Sequence, residues 1–171
     1  PIFQDITAEQ ILLENQSEPK VRIRLISPVK LPFNEENCET KFDELIFHIH
    51  GGGWISGSAN SNQMITRPWA KMSGKPIFSI SYRHAHEGGQ YPKSLDDCWQ
   101  AYNWIVKHGK EILGVNTDKI ILAGDSAGGN LVLGVALMAV KYGVKPPAGI
   151  LLSYPALDMR GDKFTPSYIV S

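Results

Sequence analysis

Short β-prone apolar runs alternate with longer helical stretches along most of this chain, and that order limits its fold more than any other feature. Leu45-Ile46-Phe47-His48-Ile49-His50 precedes a helical stretch from about Asn62 to Met72, and Pro76-Ile77-Phe78-Ser79-Ile80-Ser81-Tyr82 precedes another over residues 94 to 112. Lys119 to Ala123 leads into a small-residue helix over residues 127 to 142, and Gly149 to Tyr154 forms a last strand. The helix over residues 94 to 112 opens at Ser94 with Asp96 and Asp97 in its first turn, then spaces Ala101, Trp104, Ile105 and Ile112 at helical intervals. Strands joined through helices cross over right-handedly, so the expected fold is α/β: a mostly parallel sheet with helices on both faces. Upstream, Val21-Arg22-Ile23-Arg24-Leu25 alternates with period two and reads as an outer strand with one wet face. Residues 28 to 43, with Pro28, Pro32, Asn34 and several acids, read as a polar connection.

A chain of 171 residues with 43% hydrophobic content is globular and long enough for one core. Seventeen basic residues balance seventeen acidic ones with no long single-sign run, which argues against nucleic acid or an anionic membrane as the main partner. No apolar run approaches the roughly 20 residues a membrane-spanning helix needs, so no transmembrane segment is expected. The expected setting is cytoplasmic, with peripheral placement at lipid surfaces as the variant of it. Cys38 and Cys98 are too few for a disulfide framework and read as reduced thiols. The chain opens on Pro1 rather than Met, so upstream sequence is expected.

In parallel sheets chemistry gathers beyond the carboxyl ends of strands, and both glycine-rich motifs here fall at such ends. Gly124-Asp125-Ser126-Ala127-Gly128-Gly129-Asn130 fits G-x-S-x-G between a strand and a helix, which places Ser126 at the apex of a sharp turn. A serine hydroxyl needs exposure and a base to act as a nucleophile, and the helix N-terminus behind it favours developing negative charge. Taken alone, the pattern also suits a serine capping a helix after a glycine turn. His50-Gly51-Gly52-Gly53-Trp54, about 75 residues earlier, matches the H-G-G-G oxyanion loop. Acyl transfer builds negative charge on the carbonyl oxygen, and the backbone amides of Gly52, Gly53 and Ala127 are the expected donors to it. Three glycines could instead form a flexible loop or a phosphate cradle, but neither G-x-G-x-x-G nor a Lys before Ser or Thr accompanies them.

With both motifs in this order, the chain resembles the hormone-sensitive-lipase-like branch of the α/β-hydrolases. The resemblance runs from about Glu44 to Tyr154 and includes Tyr82-Arg83 leading to Tyr91-Pro92, and Tyr142-Gly143-Val144 leading to Tyr154-Pro155-Ala156. It implies a serine ester hydrolase acting through an acyl-enzyme on Ser126, on acylglycerols or other lipid esters, with no metal and no organic cofactor. His50 and Gly51 would shape the oxyanion loop, and Trp54 and Asp125 would border the substrate pocket. His48 and His50, two residues apart, are expected on one face of their strand.

The family's triad runs Ser, then Asp or Glu, then His. No histidine follows Ser126: His48, His50, His84, His86 and His108 all precede it. Asp158 and Asp162 follow too soon and read as loop residues. The expectation is therefore a single partial α/β-hydrolase domain over residues 1–171, an incomplete fold with its later strands missing. Residues 1–43 would hold the N-terminal strand and connection, 44–156 the hydrolase core, and 157–171 the start of a segment that continues. The remainder of the same polypeptide, or a complementary chain, would supply acid and base. The competing reading is a non-catalytic binding or structural module on a hydrolase fold that has lost its base. His84-Ala85-His86-Glu87 stands where the family has Leu-Ala-Pro-Glu. Two histidines and one Glu fall short of a metal set, so it reads as a surface turn. Trp99 and Trp104 read as helix packing. The strand at Gly149–Tyr154 would leave an exposed apolar edge, so the chain alone is expected to aggregate.

Overall fold

Runs of β-branched and aromatic residues five or six long are too short for stable helices and suit a pleated surface. In the structure, a computed structural model that describes residues 21–28 and 42–159 together with the backbone of 2–6, they form one six-stranded sheet. The strands are β1 (Ile2–Ile6), β2 (Arg22–Ser27), β3 (Leu45–Ile49), β4 (Ile77–Ser81), β5 (Ile120–Asp125) and β6 (Gly149–Ser153). Their spatial order is β1-β2-β4-β3-β5-β6, with β1, β2 and β4 paired antiparallel and β4, β3, β5 and β6 parallel. The helices are α1 (Gln63–Ser73), α2 (Lys93–Leu113) and α3 (Ala127–Lys141), each lying in a crossover between parallel strands. Cys38, Asp162, residues 165–171 and most of the 28–43 connection lie outside the described residues.

The expected α/β architecture is present, with helices on both faces. Phe47, Ile49, Phe78, Ile80 and Leu122 point to the face covered by α2 and α3, where Tyr102, Ile105, Val132 and Val135 meet them. Ile26 and Ile77 point the other way, beneath Ala70 and Trp69 of α1. Trp104 is buried in the larger core and Trp99 packs against it, as expected of helix packing. Cys98 is a buried free thiol whose pKa burial pushes well up, so it stays protonated.

Two local expectations change. The alternating strand β2 is not outermost, because β1 pairs beyond it with Ile2 opposite Ser27. The adjacent polar pair Gln4-Asp5 breaks the period-two signal that would have marked β1. The start of α2 also differs: Ser94 does not cap the helix but shares its hydroxyl between the carbonyls of Arg83 (2.8 Å) and Gly89 (2.7 Å). Asp97 turns inward to a bidentate pair with Arg83, whose Nε and Nη2 lie 2.9 and 2.6 Å from its carboxylate oxygens. That charge is 2% exposed and satisfied on both sides, so it ties the end of β4 to α2 rather than serving the helix dipole.

β6 pairs with β5 on one side only among the described residues, and Ile150 and Leu151 are 45% and 53% exposed. An apolar edge strand invites pairing with another chain. Light scattering on the 171-residue chain in isolation is expected to give a mass above its 18.9 kDa, with Leu151→Lys shifting the distribution toward the monomer. A monodisperse monomer with Leu151 intact would contradict this.

Candidate active site

At the end of β5 the chain reverses into α3 through Ser126, which has φ 50° and ψ −119°. That left-handed backbone is rare for a residue with a side chain and costs on the order of 1–3 kcal/mol unless its surroundings hold it. Here they do. The Ser126 amide donates to the Ser153 carbonyl (3.0 Å), and its own carbonyl accepts from Ala156 (3.0 Å) and Asn130 (3.3 Å). Asn130 Nδ2 donates in turn to the Ala156 carbonyl at 2.9 Å. Ser126 is half-buried rather than walled off. Ala127, the first residue of α3, has no acceptor for its amide within the helix.

The oxyanion-loop motif lies against this turn because glycines let backbone touch backbone. A Cβ on Gly128 would sit 2.1 Å from the Ile49 carbonyl oxygen and 2.5 Å from that of His50. Asp125 adds a tether: its Oδ1 accepts the Gly51 amide at 3.2 Å. The loop then turns through Gly52 (φ 116°), Gly53 (φ 62°) and Trp54 (φ 61°). The Gly52 carbonyl accepts from the amides of Ile55 and Ser56, a turn that a Cβ on Gly52 would obstruct at 2.2 Å from the Ser56 oxygen. Gly52 and Gly53 are exposed, and their amides have no acceptor among the described residues.

Two buried histidines frame the loop in different ways. His50 Nδ1 donates to the Gly51 carbonyl (2.7 Å), and its ring stacks on Tyr82 at 4.4 Å. The Tyr82 hydroxyl donates to the His50 carbonyl at 3.0 Å. Burial pushes the His50 pKa down, and the Gly51 carbonyl works against that. His48 instead bonds Ser79 Oγ at 2.9 Å and meets the Trp69 ring edge-on at 5.9 Å. The expected shared face is therefore not realised in their contacts, because the strand ends at Ile49 and His50 already belongs to the turn. Burial foremost, then the neighbouring His50, lowers His48 to about 4. Its Nε2 lies 3.8 Å from Asp125, and a neutral imidazole at that distance makes neither an ion pair nor a hydrogen bond.

A cavity of about 580 Å³ opens beside the turn, lined among others by Gly53, Trp54, Ala85, Tyr91, Asn130 and Leu131. Trp54 thus borders a pocket, as its position in the sequence suggests. Asp125 borders a separate cavity of about 250 Å³ with His48, Trp69 and Tyr154. No imidazole is hydrogen-bonded to Ser126 among the described residues: His84 precedes and His86 lies on a 3-10 turn (Ala85–Glu87), and His108 lies against Trp104 on α2. Sequence reasoning missed the tether from Asp125 to Gly51 and the Tyr82 stack. The first could have been sought in the carboxylate beside Ser126, the second only in the pairing of β3 with β4.

Residues 46–169 match the family described as the alpha/beta hydrolase fold. The chain belongs to that family. Within it the similarity is to hormone-sensitive lipase: 44% identity to the human protein and 43% to the mouse protein, each over 74% of this chain but only 12% and 16% of theirs. Carboxylesterase NlhH of Mycobacterium tuberculosis is 36% identical over 65% of this chain and 34% of its own length. Among solved structures, a bacterial heroin esterase superposes with a TM-score of 0.79 at 29% identity, covering 95% of this chain and 47% of its own. The thermophilic carboxylesterase EstE1 gives 0.78 at 27% identity, covering 96% and 50%. The chain thus spans about half of these esterase structures and under a fifth of the lipases.

Two measurements test this geometry. Gly128→Ala should destabilise by about 2–3 kcal/mol, because two backbone carbonyls must give way; denaturant titration reads it. His48, neutral when folded and titrating near 6.5 when unfolded, should contribute stability that is complete above pH 6.5 and is lost as pH falls toward about 4. The slope attributable to it is at most about 1.4 kcal/mol per pH unit and should vanish in His48→Asn.

Proposed function

We propose that this chain carries the nucleophile and oxyanion hole of a carboxylic ester hydrolase acting on acylglycerols or related lipid esters. The supporting observation is the strained backbone of Ser126 at the N-terminus of α3, packed against a glycine loop whose amides have no acceptor of their own. In this reading Ser126 Oγ attacks the acyl carbon and gives its proton to a base. The carbonyl π electrons move to oxygen, where the amides of Gly52, Gly53 and Ala127 hold the charge. Collapse expels the alcohol, which takes the proton from the base, and water then cleaves the acyl-enzyme by the same route. His50 and Gly51 shape the loop, Asp125 tethers it, and Trp54 borders the acyl or alcohol site. Asp125 thereby adds a positioning role to its place on the smaller cavity.

The base and its acid would come from the remainder of the polypeptide or from a complementary chain, and the 171 residues alone would be inactive. Without the base, turnover would fall by about a million-fold, by analogy with serine-protease knockouts. The absence of an imidazole bonded to Ser126 among the described residues keeps a second reading, a ligand-binding module without hydrolysis. Fluorophosphonate labelling of the full-length polypeptide decides between them. Labelling that disappears in Ser126→Ala, together with release of fatty acid from an acylglycerol, is the expected outcome. A folded full-length protein that remains unlabelled would favour the module.

A further inference from the structure

The turn after β4 gathers His84, His86 and Glu87, whose ligand atoms all lie within 4.8 Å of one another. No other His, Cys, Asp and Glu trio does so among the described residues. His84 Nδ1 is 3.4 Å from Glu87 Oε2, and His86 Nε2 is 4.0 Å from Glu87 Oε1. A tetrahedral ion with bonds of about 2.0–2.1 Å holds its ligand atoms about 3.4 Å apart. The first pair already has that spacing. The second reaches it by a small rotation of side chains that are 61% and 56% exposed.

The frame around these groups is fixed before any ion arrives. The Glu87 and Gly89 amides donate to the His84 carbonyl at 2.9 and 2.8 Å, and the Ala85 amide donates to the Trp54 carbonyl at 2.8 Å. The His84 amide donates to Glu87 Oε2 at 3.3 Å, which keeps the carboxylate over the turn. The His84 ring is 15% exposed and stands edge-on to Tyr82 and His50, with centroids 5.9 and 6.1 Å away. His84 is thus anchored, Glu87 is held over the turn and His86 stacks on His84 with centroids 5.5 Å apart, which lessens the ordering cost of binding.

We propose that His84, His86 and Glu87 form a binding site for a divalent transition-metal ion of the zinc type at the rim of the larger cavity. Two imidazoles and one carboxylate suit Zn²⁺, Ni²⁺ or Cu²⁺ rather than Mg²⁺ or Ca²⁺, and three protein ligands leave a coordination position for water. The sequence alone counted too few ligands for such a set; the short helical turn supplies the spacing that the count lacked. Because Ala85 lines the cavity and its amide holds the Trp54 carbonyl, an ion here sits beside that cavity. The site stands on its own geometry, whether or not Ser126 hydrolyses esters.

Calorimetric titration of the protein with Zn²⁺ in a non-coordinating buffer tests it, alongside His86→Ala, Glu87→Gln and, as a remote control on α2, His108→Ala. Glu87→Gln keeps an oxygen for the His84 amide, and circular dichroism checks that each variant is folded. One equivalent should bind, weakened at least about tenfold in His86→Ala and Glu87→Gln, since even loss of an outer-sphere partner costs that much. His108→Ala and excess Mg²⁺ should leave binding unchanged. No binding to the parent protein, parent-like affinity in both ligand variants, equal weakening in His108→Ala, or displacement by Mg²⁺ would each overturn the proposal.

Discussion

The candidate site depends on the contact of two backbone segments with no side chain between them. The carbonyls of Ile49 and His50, where β3 ends, rest on Gly128 in the first turn of α3, and Gly124 sits against Gly128 in the same way. The two motifs, far apart in sequence, thereby share one piece of packed main chain. Polar main-chain groups brought this close need partners, and the Gly51 amide finds the Asp125 carboxylate while Tyr82 satisfies the His50 carbonyl. Adding a methyl group at that contact would displace the Gly51–Gly53 loop from the Ser126 turn.

Around this contact, charge is arranged to stay fixed. Asp97 is buried with a bidentate Arg83, so the chain leaving β4 is locked to α2. Burial raises the Tyr82 pKa, which keeps its hydroxyl a donor, and lowers that of His48, which keeps its imidazole neutral. A neutral His48 adds no positive charge beside Asp125, whose carboxylate remains available to the Gly51 amide. Tyr82 and His48 thus each keep one protonation state near neutral pH.

Much of this was legible in the sequence because the signals were local. Strand runs bounded by glycine, helices with regular apolar spacing, and two motifs at strand ends gave the α/β order, the place of Ser126 and the role of His50 in the loop. What stayed hidden depended on partners distant in the chain. β1 was missed because Gln4-Asp5 breaks the alternation, and β2 then looked outermost. Ser94 and Asp97 read as helix-start residues, because nothing nearby announces that Arg83, at the end of another strand, will claim them. That Asp125 also tethers Gly51 emerges only from the pairing of β3 with β5. The acid and base of a triad are not legible at all, since no histidine follows Ser126.

The Ser126 amide donates to the Ser153 carbonyl, and the Ser126 carbonyl accepts from the Ala156 amide. The Ser126 turn is fastened to the far end of β6 through its own peptide groups, so its torsion is coupled to how that end is seated. A displacement of residues 153–156 would therefore reach the serine as a change in backbone torsion, with the Asn130 side chain, bonded to the Ala156 carbonyl, as a second link.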